Sequence, residues 1–178
     1  RPDIVEAMNR LSSVIYILFC RQLTGRWPGQ QEPSEMKDLP GFLVEASGRH
    51  VHLTQQAIDV LFGENLHEKS PLSQPGQYAS EERVRLGTAK GEIDNVVVLG
   101  PPRGAVQVEM SLTDARILGI TIPVNLSGDL KGAADVILVG PKGIYNAVGS
   151  VIASKAHIHM TPEDARLYGV EDGDSVAV

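Results

Sequence analysis

Apolar residues at Ile4, Met8, Leu11, Ile15 and Leu18 recur at alternating steps of four and three, while Glu6, Asn9, Arg10, Ser13 and Gln22 lie mostly off that stripe. The spacing predicts an amphipathic helix within residues 1–25. Its longest apolar run, residues 14–20, is too short to cross a bilayer. Acidic residues ahead of that run, with no small-residue cleavage pattern behind it, speak against a signal peptide. A stretch rich in Gly, Pro, Gln and charge follows, and residues 26–40 read as a linker. A helix on a tether suits docking to a partner, and equally a cap on the globular part.

From Gly41 the pattern turns to β. Residues 96–99, 106–108, 120–122, 136–139 and 151–153 are short apolar runs bounded by Gly and Pro turns, each a strand candidate. Gly87-Thr-Ala-Lys-Gly91 and Gly140-Pro-Lys-Gly143 stand at similar distances ahead of two similar segments. The expected fold is mainly β with short helices. It comprises two small pseudo-symmetric β-barrels, over residues 41–128 and 129–178, with a metal site between them.

Composition agrees with that picture and narrows the function. The 178 residues suffice for a buried core, and the 42% apolar fraction is ordinary. Only 4% of residues are aromatic, against 18 Gly and 11 Pro, a profile of many short strands and tight turns. A net charge of −6 without any Lys/Arg run argues against a nucleic-acid partner. The single Cys20 forms no internal disulfide and fits a reducing cytosolic setting.

The candidate chemistry is in the histidines. Four of the five sit in His50-Val51-His52-Leu53-Thr54 and His157-Ile158-His159-Met160-Thr161. On a strand, imidazoles at i and i+2 point to one face, at a cost in apolar contact that a shared metal offsets. The second segment aligns with Gln107-Val-Glu-Met-Ser-Leu-Thr-Asp-Ala-Arg, so that Glu109 falls at the place of His159 and of His52. Imidazole and carboxylate are interchangeable as metal ligands but not as packing residues, which favours a metal role. Each unit also predicts a sharp turn into a short helix. Thr54, Ser111 and Thr161 are suited to the N-cap, Pro162 to the first turn, Asp114 and Asp164 to the third position, and Gly119 and Gly169 to the stop.

Other residues carry less by themselves. Arg103 beside Gly104, Ser127 in Ser-Gly-Asp, and Gln77 after Pro75-Gly76 are ordinary turn residues. Lys69, Lys90 and Lys142 are charges that suit anionic groups or simply solvent, and His67 is assigned no role. Metal chemistry leaves three readings: a transferase, a zinc-dependent thioesterase or other hydrolase, and a non-catalytic protein whose metal staples two barrels.

A set of ordered stretches then resembles one family. They are Ser47-Gly-Arg-His-Val-His-Leu-Thr54, Leu72-Ser-Gln-Pro-Gly-Gln-Tyr-Ala79, Val98-Leu-Gly-Pro101, Val108-Glu109, Ser127-Gly-Asp129, Val139-Gly-Pro-Lys-Gly143 and His157-Ile-His-Met-Thr-Pro-Glu-Asp164. Together they resemble the PduL-type phosphotransacylases, or phosphate propanoyltransferases, of bacterial microcompartments. The resemblance implies two barrels with a two-zinc site between them, and the reaction of acyl-CoA (propanoyl or acetyl) with phosphate to give acyl phosphate and CoA. His50, His52 and Glu109 resemble the ligands of one zinc, and His157 and His159 two ligands of the other. Arg103 resembles the phosphate-binding arginine, Ser127 and Gln77 match residues near the substrate, and Ser47 and Lys69 are assigned to the CoA side.

The implied mechanism is direct attack of zinc-bound phosphate on the thioester, without a cysteine intermediate. The implied setting is the cytoplasmic interior of a microcompartment, with the first helix directing packaging against shell or cargo proteins. An amphipathic arm also suits self-association. Family members continue with further strands and another histidine, so the second barrel and its ligand set are expected to be incomplete at Val178, and Gly48 stands where Asn is common.

Overall fold

The structure, a computed structural model, describes residues 48–72 and 74–176. The helix expected within residues 1–25, the linker over 26–40 and Ser47 lie outside the described residues. The elements are β1 (His50–His52), α1 (Gln55–Leu61), β2 (Glu68–Pro71), β3 (Tyr78–Gly87), β4 (Glu92–Gly100), β5 (Gln107–Glu109), α2 (Leu112–Ile117), β6 (Val124–Asn125), β7 (Ala134–Val139), β8 (Ile144–Ser154) and α3 (Pro162–Tyr168).

Six of the strands close a barrel. β3 pairs antiparallel with β4, β4 parallel with β1, β1 antiparallel with β5, β5 parallel with β8, and β8 antiparallel with β7, which returns antiparallel to β3. Closure leaves these strands no free edge. β2 adds to the outside of β3, and the short β6 pairs with the end of β8. Val51, Leu53, Val84, Leu86, Val96, Val98, Val108, Val136, Leu138 and Val151 supply much of the core, which α1 covers through Ala57, Ile58 and Leu61.

The barrel carries its own pseudo-twofold relation. The order β3–β4–β1 is matched by β7–β8–β5, and the two halves meet where Val51 stands opposite Val108. The boundary expected at 128/129 therefore falls inside this barrel, because β7 and β8 complete it. After Ser154, α3 is the only regular element among the described residues.

Each half also clamps the helix of the other. An added Cβ at Gly91, in the β3–β4 turn, would lie 2.1 Å from the Ile117 carbonyl oxygen at the end of α2. An added Cβ at Gly143, in the β7–β8 turn, would lie 2.4 Å from the Val60 carbonyl oxygen near the end of α1. These approaches are open only to glycine. The Thr88 hydroxyl donates to the Leu118 carbonyl at 2.5 Å, and the Lys142 amide to that of Leu61 at 3.0 Å, so carbonyls left over at both helix ends are satisfied.

Two expected strands are absent. Residues 120–122 are irregular, although Ile122 is buried. The Ile120 amide is taken up by the Ala115 carbonyl in closing α2, and Pro123 has no N–H, so the run is poor in ladder donors. Residues 155–160, which hold the second histidine pair, are likewise outside any strand. Among the described residues no helix is long and apolar enough to cross a membrane.

Candidate metal centre

The antiparallel register of β1 and β5 sets His50 opposite Glu109 and His52 opposite Gln107. Alternation puts all four side chains on the face opposite the core residues Val51 and Val108. All four are nonetheless buried, with relative exposures of 7% for His50, 3% for His52, 4% for Gln107 and 6% for Glu109. The two ends of this polar square are fixed by helix starts. Thr54 caps α1 by accepting from the Ala57 amide, and Ser111 caps α2 by accepting from the Asp114 amide. Arg49, just ahead of β1, reaches Asp114 at 2.9 Å and ties β1 to α2.

Within the square, one donor atom each from His50, His52 and Glu109 lie within 4.8 Å of one another. The first imidazole is oriented by its own backbone, with Nδ1 2.9 Å from the Gly48 carbonyl. That leaves Nε2 turned to Glu109, 3.7 Å from Oε2. Burial, with the neighbouring charges of Arg103 and His50, lowers the His52 pKa to about 3 against a weaker opposing pull from Glu109, so this imidazole is neutral. Burial raises the Glu109 pKa, but the Ser127 hydrogen bond, His50, the nearby Ser154 hydroxyl and Gln107 together outweigh it and hold the carboxyl low. The set is thus a neutral imidazole, a second imidazole with a directed Nε2, and an ionised carboxylate.

The second pair repeats the first. His157 Nδ1 lies 2.7 Å from the Lys155 carbonyl, the same two-residue step back as from His50 to Gly48. Ring centroids are 4.7 Å apart in His157–His159 and 5.0 Å in His50–His52, each at 86°. The Nε2 atoms of His157 and His159 are 3.0 Å apart, so both present one face. Thr161 caps α3 through the Asp164 amide with the same dihedral angles as Ser111, φ −72° and ψ 157°. Partial desolvation and then His157 lower the His159 pKa, with Arg103 acting the same way and Glu109 opposing. The first pair is buried, whereas His157 and His159 are exposed.

The remaining candidates divide. The Arg103 amide bonds the Leu53 carbonyl at 2.8 Å, which fixes it one residue beyond His52, and its Nη2 donates to Gln77 Oε1 at 3.0 Å. Gln77 is held in turn by its backbone, whose amide donates to the Gln74 carbonyl at 3.1 Å and whose carbonyl accepts from the Leu72 amide at 3.0 Å. Ser127 donates to Glu109 at 2.6 Å. Lys69 stands exposed on β2, three places from β1 in the strand order. Lys90 and Lys142 pack over Gly119 and Gly63 at the ends of α2 and α1, where a cation suits the helix dipole. Within this polar square, Gln107 is the residue to which the sequence pattern assigns no role. The alignment that set Glu109 against His159 also set Gln107 against His157, and that was the available signal.

These donors fit a divalent metal ion. Among the described residues His52 Nδ1 is a buried nitrogen without a hydrogen-bond partner, an arrangement that costs about 1–3 kcal/mol unless another interaction offsets it. Two imidazoles and a carboxylate form a common zinc ligand set, with bonds of about 2.0–2.2 Å.

Comparison with known proteins bears on this arrangement. A family model described as phosphate propanoyltransferase matches residues 43–178. A phosphate propanoyltransferase of Thermotoga maritima is 50% identical over 146 residues, covering 80% of this chain and 69% of that protein. One from Leptotrichia buccalis is 51% identical over 141 residues, covering 77% and 66%. One from Enterococcus faecalis is 43% identical over 173 residues, covering 96% and 78%. The chain spans about two thirds of the Thermotoga and Leptotrichia proteins.

Proposed function

This chain belongs to the phosphate propanoyltransferase family, and from that premise we propose that it interconverts an acyl-CoA and inorganic phosphate with an acyl phosphate and CoA. Propanoyl-CoA is the substrate indicated by the relatives' names, with acetyl-CoA one methylene shorter. In the transfer a phosphate oxygen bonds to the thioester carbonyl carbon. The C–S bond breaks, and the sulfur leaves with its electron pair and takes up a proton.

The observation that carries this reading is the buried trio His50, His52 and Glu109 with Arg103 anchored beside it. Zinc bound there, with a second ion at His157 and His159, would supply Lewis acidity toward phosphate, carbonyl and thiolate. The protein's own groups do the rest. Phosphate is a weak nucleophile and an anion, and the planar fork of Arg103 can grip two of its oxygens. Gln77 accepts one Arg103 N–H and so fixes the direction in which the fork opens. Ser127 acts on Glu109, and Ser47 and Lys69 are assigned to CoA. Docking to microcompartment shell or cargo proteins is assigned to the first helix on its amphipathic pattern alone.

The test is thiol release from propanoyl-CoA by zinc-loaded protein, with and without phosphate. Phosphate-dependent release, with propanoyl phosphate as co-product, is expected. Release that ignores phosphate would make the chain a thioester hydrolase. Stoichiometric zinc binding without release would leave the metal as a staple.

A further inference from the structure

Two of the three repeated units present a pair of histidines, but the middle one presents Gln107 and Glu109. In the histidine units the first ring is steered by a carbonyl two residues back, behind Gly48 and Lys155. Gln107 does something different. Its Nε2 donates to Glu109 Oε1 at 2.5 Å and to Ser127 Oγ at 3.2 Å, while Ser127 donates to the same Oε1 at 2.6 Å. Both donors meet on one carboxylate oxygen, and the other, Oε2, is the atom that faces His50.

We infer that Gln107 is a positioning residue that, with Ser127, occupies Glu109 Oε1 and so presents the carboxylate to a metal ion through Oε2 alone. This rests on the reading of His50, His52 and Glu109 as metal ligands. A carboxylate turns freely about its last torsion and can bind an ion through one oxygen or two. Two donors on Oε1 remove that choice. A glutamine can do this where a histidine in the same place could not without bringing another ligand nitrogen, and its amide adds no charge. The cost of removing such an orienting partner is ordinarily about 10–100-fold in metal affinity.

The test compares wild type with Gln107→Leu for zinc affinity, by competition with a chromophoric chelator, and for the visible spectrum with cobalt(II). The variant is expected to bind zinc about 10–100-fold more weakly. Its cobalt bands should weaken, as the released carboxylate binds through both oxygens and raises the coordination number. Unchanged affinity and spectrum would overturn the inference, even if the metal-free variant melts lower, because that result is a packing role only. Should Gln107→Leu fail to fold, Ser127→Ala breaks the same chain from its loop end and must move both readouts in the same directions. A wild-type protein that binds neither ion would instead remove the metal reading itself.

Discussion

His50 and Glu109 face each other across the β1–β5 pair, with Nε2 and Oε2 3.7 Å apart. The pairing is a consequence of the pseudo-twofold relation, which lays one half's strand end against the other's. Equivalent positions of two repeats thereby become one cluster, with Val51 and Val108 at its pivot. Rigid strands behind the ligands, and capped helices beyond them, are what a preorganised metal centre requires.

His52 should be a poor contributor to stability and an essential one to metal binding. Leucine at this position has similar bulk and removes the buried unpartnered nitrogen, which costs about 1–3 kcal/mol. His52→Leu is expected to leave the metal-free melting temperature unchanged or higher, and to reduce its rise on adding zinc. In the wild type that rise corresponds to about 2.7 kcal/mol at zinc a hundredfold above Kd. Calorimetry with and without chelator measures both, and a zinc response equal to that of the wild type would remove His52 from the ligand set.

Arg103 is expected to act on phosphate and not on CoA. Arg103→Lys keeps the charge but loses the fork and the bond to Gln77. A lost charge-assisted hydrogen bond of about 1.5–3 kcal/mol corresponds to roughly a 10–100-fold lower kcat/KM for phosphate, with KM for acyl-CoA little changed. Gln77→Ala should show a weaker effect of the same kind. Initial rates at varied phosphate decide it, and an equal loss toward both substrates would contradict the assignment.

The two glycine clamps should matter for stability alone. Gly91→Ala and Gly143→Ala each push a methyl group into a helix carbonyl, and overpacking of this kind costs about 1–3 kcal/mol. Gly104→Ala, with nothing within 4 Å of an added Cβ, is the control, expected within about 0.5 kcal/mol of wild type. Denaturant midpoints for the three variants check the ranking.

His67 supplies a pH-dependent tie. Its ring lies 2.7 Å from Glu82, and the loop amide of His67 also donates to that carboxylate. The Glu82 hydrogen bond, followed by its charge and those of Glu64 and Glu81, raises the His67 pKa above 6.5. Glu82 is raised by burial, but its bonds, led by that from His67, hold it below 4.5. The histidine's contribution is whole below 6.5 and is lost as pH climbs through the raised value, while the carboxylate's is lost in acid below 4.5. The melting-temperature difference between wild type and His67→Ala should be largest between those limits and shrink in mildly alkaline buffer. A difference that grows with pH would reverse the sign argued here.

Much of the site was legible from short-range pattern. The i, i+2 histidines, the hydroxyl caps and the alignment of Glu109 with His159 depend on neighbours within one unit, and the structure shows all three caps in place. Strand β3 was not legible. Its Tyr-Ala-Ser-Glu-Glu-Arg-Val-Arg-Leu-Gly sequence buries only Ser80, Val84 and Leu86 and exposes charges between them, so no apolar run announced it. Gln107 was passed over for a related reason, since a glutamine in a strand gains meaning only from the carboxylate and hydroxyl it meets.

By itself the sequence determined the repeated units, their ligand-capable positions and the glycines that stop the second and third helices, because caps and strand alternation act within a few residues of chain. Only the tertiary structure decided that β7 and β8 close the same barrel as β3 and β4, that His50 meets Glu109, and that Gln107 and Ser127 share one carboxylate oxygen. Those choices are set by strand register between distant segments. A slip of one residue there would turn every side chain to the opposite face while leaving each local pattern unchanged.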